Sequence, residues 1–208
     1  MWQRTDAVGR GRRVAALLRG LIVVAGGALG CLWSAAPVRA QIDSPGRHLH
    51  YSAEIEPHLV WQWTGDEAAV DDGIGLGFRV AIPIMQDGPV PTINNNLAIA
   101  FGLDWAYFSD RCFEISADCS ENDFWIPITL QWNFFLTQMI SIFPEIGLGF
   151  RDAILDYDVC RGGRRCTDSD LEVHLVLWFG ARFRLTDQFA IVVRLGVPSL
   201  TLGGSFTF

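Results

Sequence analysis

Two short stretches carry residue types that could do acid–base or nucleophilic chemistry. His50, Ser52 and Glu54 stand at alternate positions, and Glu172 and His174 do so further along the chain. A hydroxyl, an imidazole and a carboxylate are the parts of an acyl-transfer triad, yet a triad needs a mutual geometry that spacing alone does not give. A second set is ionic: Glu54, Glu56, Asp104 and Glu145 against Arg79, Arg182, Arg184 and Arg194. Arginine offers a carboxylate two parallel hydrogen bonds, so this set suits a buried network better than a reaction. The phrases DGIGLGF and EIGLGF have roughly the glycine spacing of a dinucleotide-binding loop. Neither is followed by a helical period, so no nucleotide cofactor is expected.

What must position these residues is a repeated alternation of large apolar side chains with small or polar ones. It is clearest from Leu97 to Tyr107. Leu97, Ile99, Phe101, Leu103, Trp105 and Tyr107 share one face, and Ala98, Ala100, Gly102, Asp104 and Ala106 the other. Successive strand residues point to opposite faces. Small residues do not make a solvated outer face; they suit the crowded interior of a narrow closed barrel whose outside meets lipid, so the large residues are read as outward. The pattern recurs over 48–63, 74–84, 97–107, 124–136, 140–151, 171–185, 189–197 and 200–208. The expectation is an all-β chain: an eight-stranded antiparallel up-and-down transmembrane β-barrel. Parity then places Glu54, Glu56, Arg79, Asp104, Glu145, Arg182 and Arg194 in a lumen only wide enough for side chains, where they plug it. His50, Ser52, His174, Trp125 and Trp178 fall on the same inward face, with Arg184 and Glu172 near the barrel ends.

Arg4, Arg10, Arg12, Arg13 and Arg19 precede the apolar run 21–33, and the small residues Val38 and Ala40 flank Arg39. This reads as a cleavable signal peptide over 1–40, followed by one barrel domain over 41–208. The run is short for a membrane anchor, and a lipoprotein cut before Cys31 is the lesser alternative because ALGC lacks the usual leucine. Removing the signal takes the formal charge from −7 to about −12, which gives nucleic acid no purchase.

Connections 64–73, 109–123 and 152–170 are long and polar, while those after the fourth and sixth strands, TQM and TDQ, are very short. Short periplasmic turns with longer external loops are the outer-membrane habit. Cys112 and Cys119 fall in one such loop, Cys160 and Cys166 in another. An even number in a secreted chain reads as disulfides, with pairing inside each loop the simplest of the three connectivities. A metal site is disfavoured, since the spacings exceed CxxC and neither loop holds a histidine.

The C-terminal strand LTLGGSFTF carries Phe206 and Phe208 on one face. With the strand pattern and the loop asymmetry, it makes the chain from Gln41 onward resemble the small eight-stranded outer-membrane barrels of Gram-negative bacteria, the architecture of the outer-membrane protein A transmembrane domain. NNNLAIAFGLDW and PITLQWNFFLT are also similar to segments of uncharacterised bacterial outer-membrane β-barrel proteins. The resemblance implies location in the bacterial outer membrane, contact with its lipid and lipopolysaccharide, and reading of the Phe206 and Phe208 strand by the barrel-assembly machinery. It implies a structural or surface-interaction role, through loops whose ligand is unknown. One alternative is a carrier of small hydrophobic molecules across the outer membrane, which needs a lateral opening or an apolar pocket. Another is a lipid A-modifying enzyme, since some barrels of this size are deacylases or palmitoyltransferases; the inward parity of every candidate residue argues against catalysis. Neither metal nor cofactor is expected.

Overall fold

The computed structural model describes residues 40–63, 72–109, 119–157 and 166–208. Eight strands run up and down: β1 (Glu54–Gln62), β2 (Gly73–Met85), β3 (Asn95–Ser109), β4 (Cys119–Phe135), β5 (Ile140–Tyr157), β6 (Cys166–Arg184), β7 (Phe189–Val197) and β8 (Ser199–Thr207). Each pairs antiparallel with the next, and β8 pairs with β1, so the barrel is closed. The β2–β3 register shifts between Pro83 and Met85, where proline has no N–H to give the ladder.

The barrel is inside out relative to a soluble core. Ala98 and Ala100 are fully buried in the lumen, whereas Ile99 between them is 41% exposed. Register lines Ile82, Ile99, Leu130, Ile146 and Leu177 into one outward row crossing five strands. In water such a band would be an aggregation surface; against acyl chains it is what a spanning sheet needs. At its upper margin Trp105 Nε1 donates to Asn122 Oδ1 at 3.1 Å, an aromatic with a polar tip where apolar surface gives way to water. Among the described residues no helix is long and apolar enough to cross a membrane.

Strand lengths depart from the sequence expectation at both ends. The alternation begins at His48, but β1 begins at Glu54, and residues 40–53 form a strap across the barrel end that holds the C-terminus. Ser52 N donates to Phe208 O and Phe208 N to Ala53 O, tying the strap to the last residue. Further along, Gln86 Nε2 donates to Tyr51 O, Asn94 N to Ile42 O, and Gln41 N to Leu136 O beside the β4–β5 turn. The strap therefore reaches from the β1 side to the β5 side, across the mouth. His50 and Ser52 are exposed on it and not inward. At the other end, 119–123, 152–157 and 166–170 were expected as loop but continue β4, β5 and β6.

His48 pins the strap. Its ring stacks flat on Phe135, centroids 4.2 Å apart, and its Nδ1 lies 2.6 Å from Asn94 Oδ1. Burial lowers its pKa below the ordinary histidine value; the Asn94 hydrogen bond opposes this, and neighbouring His50 adds to it, while Asp87 pulls the other way. The unfolded strap thus binds a proton more tightly than the seated one. Stability from His48 is whole above about pH 6.5 and is lost as pH falls from there through the lowered folded value. Protection of amides 41–53, taken relative to their intrinsic exchange rates at each pH, is expected to fall from pH 7.5 to pH 5 in wild type but not in His48→Phe; an equal fall in both would remove His48 as the cause.

Candidate functional site

Inward parity on seven different strands fills the lumen with charge. Nearest the strap, Arg182 on β6 reaches across to Glu54 on β1: Nη2 donates to Oε2 at 2.7 Å and to Oε1 at 2.8 Å, and Nε to Oε1 at 3.1 Å. The guanidinium's remaining nitrogen donates to Asn133 Oδ1 and Ser141 Oγ. One layer up, Arg194 on β7 joins Glu145 on β5, at 2.9 Å through Nε, to Glu56 on β1 through Nη1. Thr129 Oγ1 also donates to Glu145. The Phe143 ring lies under both guanidiniums, 4.9 Å from Arg182 and 5.0 Å from Arg194, a face that attracts cations. Gln131 bridges the two layers when its amide is turned with oxygen toward Arg182 Nη2 (3.1 Å) and nitrogen toward Glu145 (3.2 Å).

Beside this layer Asp104 on β3 is shared. Arg79 Nη2 donates to its Oδ2 at 2.9 Å, and His58 Nε2 lies 2.9 Å from its Oδ1. Arg79 also stacks over Trp178 at 4.7 Å. Glycine makes room here: a Cβ at Gly77 would collide with His58 and Asp104, and one at Gly180 with the Phe143 ring. The inward glycines of the IGLGF phrases thus belong to crowding in the lumen and not to a phosphate cradle.

Above an apolar floor of Trp125, Val176 and Trp178 sits a further cluster. Asp123 accepts from Arg151 Nε at 2.9 Å and from Trp125 Nε1 at 3.1 Å, with Gln62 Nε2 also donating to it. Arg151 Nη2 donates to Glu121 Oε1 at 2.9 Å. Glu172 and His174 meet at 2.8 Å and are both about two-fifths exposed at this mouth.

The structure thus brings together Glu54 with Arg182, Glu56 and Glu145 with Arg194, and Asp104 with Arg79. It separates the two sets of triad-type residues. His50 and Ser52 lie outside on the strap while Glu54 is committed to Arg182, and no hydroxyl bonds His174 among the described residues. His58 and Phe143 escaped sequence reasoning as members of the network, because parity gives a side chain's face and not its partner. Asp123 and Glu121 escaped it because they stood in an expected loop. Cys112 and Cys160 lie outside the described residues, as do the side chains of Cys119 and Cys166. Phe206 is outward and tilts against Phe189, centroids 5.2 Å apart; Phe208 is exposed at the chain end.

No protein-family model matches the chain, and no curated protein matches it. Solved structures do. The chain is similar in fold to Ail, the attachment invasion locus protein of Yersinia pestis, with a TM-score of 0.52 at 14% identity, covering 77% of this chain and 100% of that one. It is similar to Neisserial surface protein A with a TM-score of 0.52 at 11% identity, covering 75% and 97%. The fold is that of the small bacterial outer-membrane β-barrels. At these identities the likeness reaches the backbone and not the lumen residues, so function has to be argued from the site.

Proposed function

We propose that this chain is a sealed outer-membrane anchor that holds an acidic, disulfide-stapled sheet at the cell surface and conducts nothing. The observation that supports this reading is the pairing of lumen side chains across the barrel, Arg182 with Glu54 and Arg194 with Glu56 and Glu145, which favours a sealed lumen in a barrel of this width. With the termini and strap on the periplasmic side, the extended tops of β3 to β6 and connections 110–118 and 158–165 stand outside. Outer-membrane lipid and lipopolysaccharide then face the apolar band, and the Phe206 and Phe208 strand serves the barrel-assembly machinery. The names of the two fold relatives, an attachment invasion locus protein and a surface protein, fit such a role. The test is twofold: an epitope inserted in 158–165 is expected to be reached by antibody on intact cells, and purified protein in planar bilayers to give no steady conductance. A stable ohmic channel would end the sealed-anchor reading.

The carrier and lipid A enzyme readings have less support. Trp125, Val176 and Trp178, the inward apolar group, pack against each other as one buried cluster, and the Glu172–His174 pair has no hydroxyl partner among the described residues.

Backbone register narrows the cysteine pairing. Cys119 and Cys166 both stand opposite Tyr157, on the two strands that flank it. Two strand spacings separate them by roughly 9–10 Å, beyond the ~7 Å between Cα atoms that a disulfide tolerates. That leaves Cys112–Cys119 with Cys160–Cys166, or Cys112–Cys166 with Cys119–Cys160; the former closes short loops, each contributing about 2–3 kcal/mol in the chain-entropy model. Non-reducing peptide mapping is expected to recover one disulfide per loop, and any peptide joining the two loops would overturn this pairing.

A further inference from the structure

The outward face of β5 carries Ile142, Ile146, Leu148 and Phe150, but between the first two of these stands Pro144, whose ring is short where the rest of the band has long side chains. Proline also brings no N–H to a ladder. β4 and β5 pair at Gln131 with Glu145 and again at Phe134 with Ile142, and skip the two positions between. On the other side Pro144 stays paired, opposite Phe179 of β6. The wall is therefore both thin and loosely laddered at this one point.

Rings rise on either side of it. Trp132 on β4 is held in place, its Nε1 donating to Asn95 Oδ1 at 2.9 Å and its ring tilted against Phe134 with centroids 4.8 Å apart. Phe179 stands exposed on β6. Leu130, Ile146 and Leu177 close the space toward the middle of the band, and the result is a concavity of about 530 Å³ in the outer wall. Glu145 and Trp178 reach its floor, but both are buried, and the Glu145 carboxylate is committed to Arg194 and Thr129 in the lumen. The volume is that of a ligand site, about 300–1,000 Å³, without the few placed polar groups that orient a polar ligand. Its exposed lining is apolar, and the one polar atom there, the Trp132 indole nitrogen, is already bonded. Such a lining suits a hydrocarbon chain.

Pro144 lies one outward position nearer the strap than Ile146, which belongs to the row through Ile99 and Leu130. With the strap periplasmic, the groove faces the periplasmic leaflet, and the anchored indole of Trp132 marks its lower margin. We propose that this groove seats one acyl chain of a periplasmic-leaflet phospholipid, laid across Pro144 between the Trp132 and Phe179 rings, as a bound lipid distinct from the exchanging shell around the rest of the band. A chain in the bilayer is already out of water, so transfer from water does not select the groove. Dispersion does, because the chain meets a floor and two walls here and a single convex surface elsewhere. A second copy of the barrel fits poorly, since its own convex wall would touch the ring edges before it reached the floor. The leaflet follows from the surface-anchor orientation, the groove from the wall alone.

The experiment uses the purified full-length barrel in phosphatidylglycerol nanodiscs doped with a phospholipid that carries a diazirine midway along one acyl chain; adducts formed on illumination are mapped by peptide mass spectrometry. Its outcome is independent of whether the lumen conducts, so it fails separately from the sealed-anchor reading. Adducts are expected to concentrate at 130–132, 144–146 and 177–179, roughly three- to tenfold above the outward rows of β1, β2 and β8, the preference that several added dispersion contacts give. P144F fills the groove and should erase the excess. F179A removes one wall and should do the same, whereas L148F, on the same outward face of β5 but away from the groove, should leave it unchanged; urea midpoints in lipid show that each variant is folded. An even spread of adducts around the barrel, or an excess that survives both P144F and F179A, would overturn the proposal. So would displacement of the adducts by added lipopolysaccharide, which would give the groove to a chain of that lipid, or their loss when two barrels share a disc, which would give it to a second copy.

Discussion

Arg182→Ala is expected to lower the unfolding free energy of the barrel by about 3–5 kcal/mol, because on the sealed-lumen proposal it strands the buried carboxylate of Glu54 without its partner. Both side chains are only 2% exposed, and three hydrogen bonds join them. The loss does not measure what the pair contributes, since much of it is the cost of the orphaned charge. That distinction is testable. Adding Glu54→Gln to Arg182→Ala removes the orphan and should return a large part of the loss, while Arg182→Lys, which keeps the charge but not the fork, should fall between. Urea unfolding in lipid gives all four midpoints. A near-silent Arg182→Ala would mean that solvent already screens Glu54, and the sealed lumen would have to be abandoned.

Ile99→Arg should cost about 2–4 kcal/mol through a different mechanism, the placing of a charge in hydrocarbon near the bilayer midplane. Ile99 sits in the outward row between Ile82 and Leu130. Its neighbour Ala100 is fully buried in the lumen beside Ala81, so Ala100→Ser changes one small side chain for another in a polar interior and should be mild. In a water-soluble sandwich the order would reverse, with the exposed arginine harmless and the buried hydroxyl costly. Refolding both variants into lipid and comparing urea midpoints therefore tests the inside-out assignment with one pair of measurements.

The alternation from Leu97 to Tyr107 was readable because lipid imposes it: every second residue must be apolar where the strand meets acyl chains. The same rule explains where reading failed. Above the band the outward positions of β4 and β5 are Asn122 and Asp152, facing water, so the apolar signal stops although the ladder continues to Cys119 and Tyr157. At the other end Leu49 and Tyr51 carry the alternation past the true start of β1, but on the strap Tyr51 is buried and Leu49 is 40% exposed, so the two no longer share a face. Within the lumen, parity located the ionic residues on the inward face, but their pairing depends on register across strands far apart in sequence. The shared roles of Phe143 and His58 follow from that register, which no local pattern encodes.

The clasp between the strap and Phe208 bears on the order in which the molecule can be built. β1 cannot satisfy its second edge until β8, the last strand, arrives, and Ser52 and Ala53 find their partner only in the terminal residue. A seven-stranded chain would have an open seam and a lead segment held at Tyr51, Ile42 and Gln41 but not at Ser52 and Ala53, and arrival of the last strand mends both. These are the contacts with the greatest separation along the chain, the kind that slow the search for the native state. Completion of the last strand is thus also the event that fastens the strap beside β1.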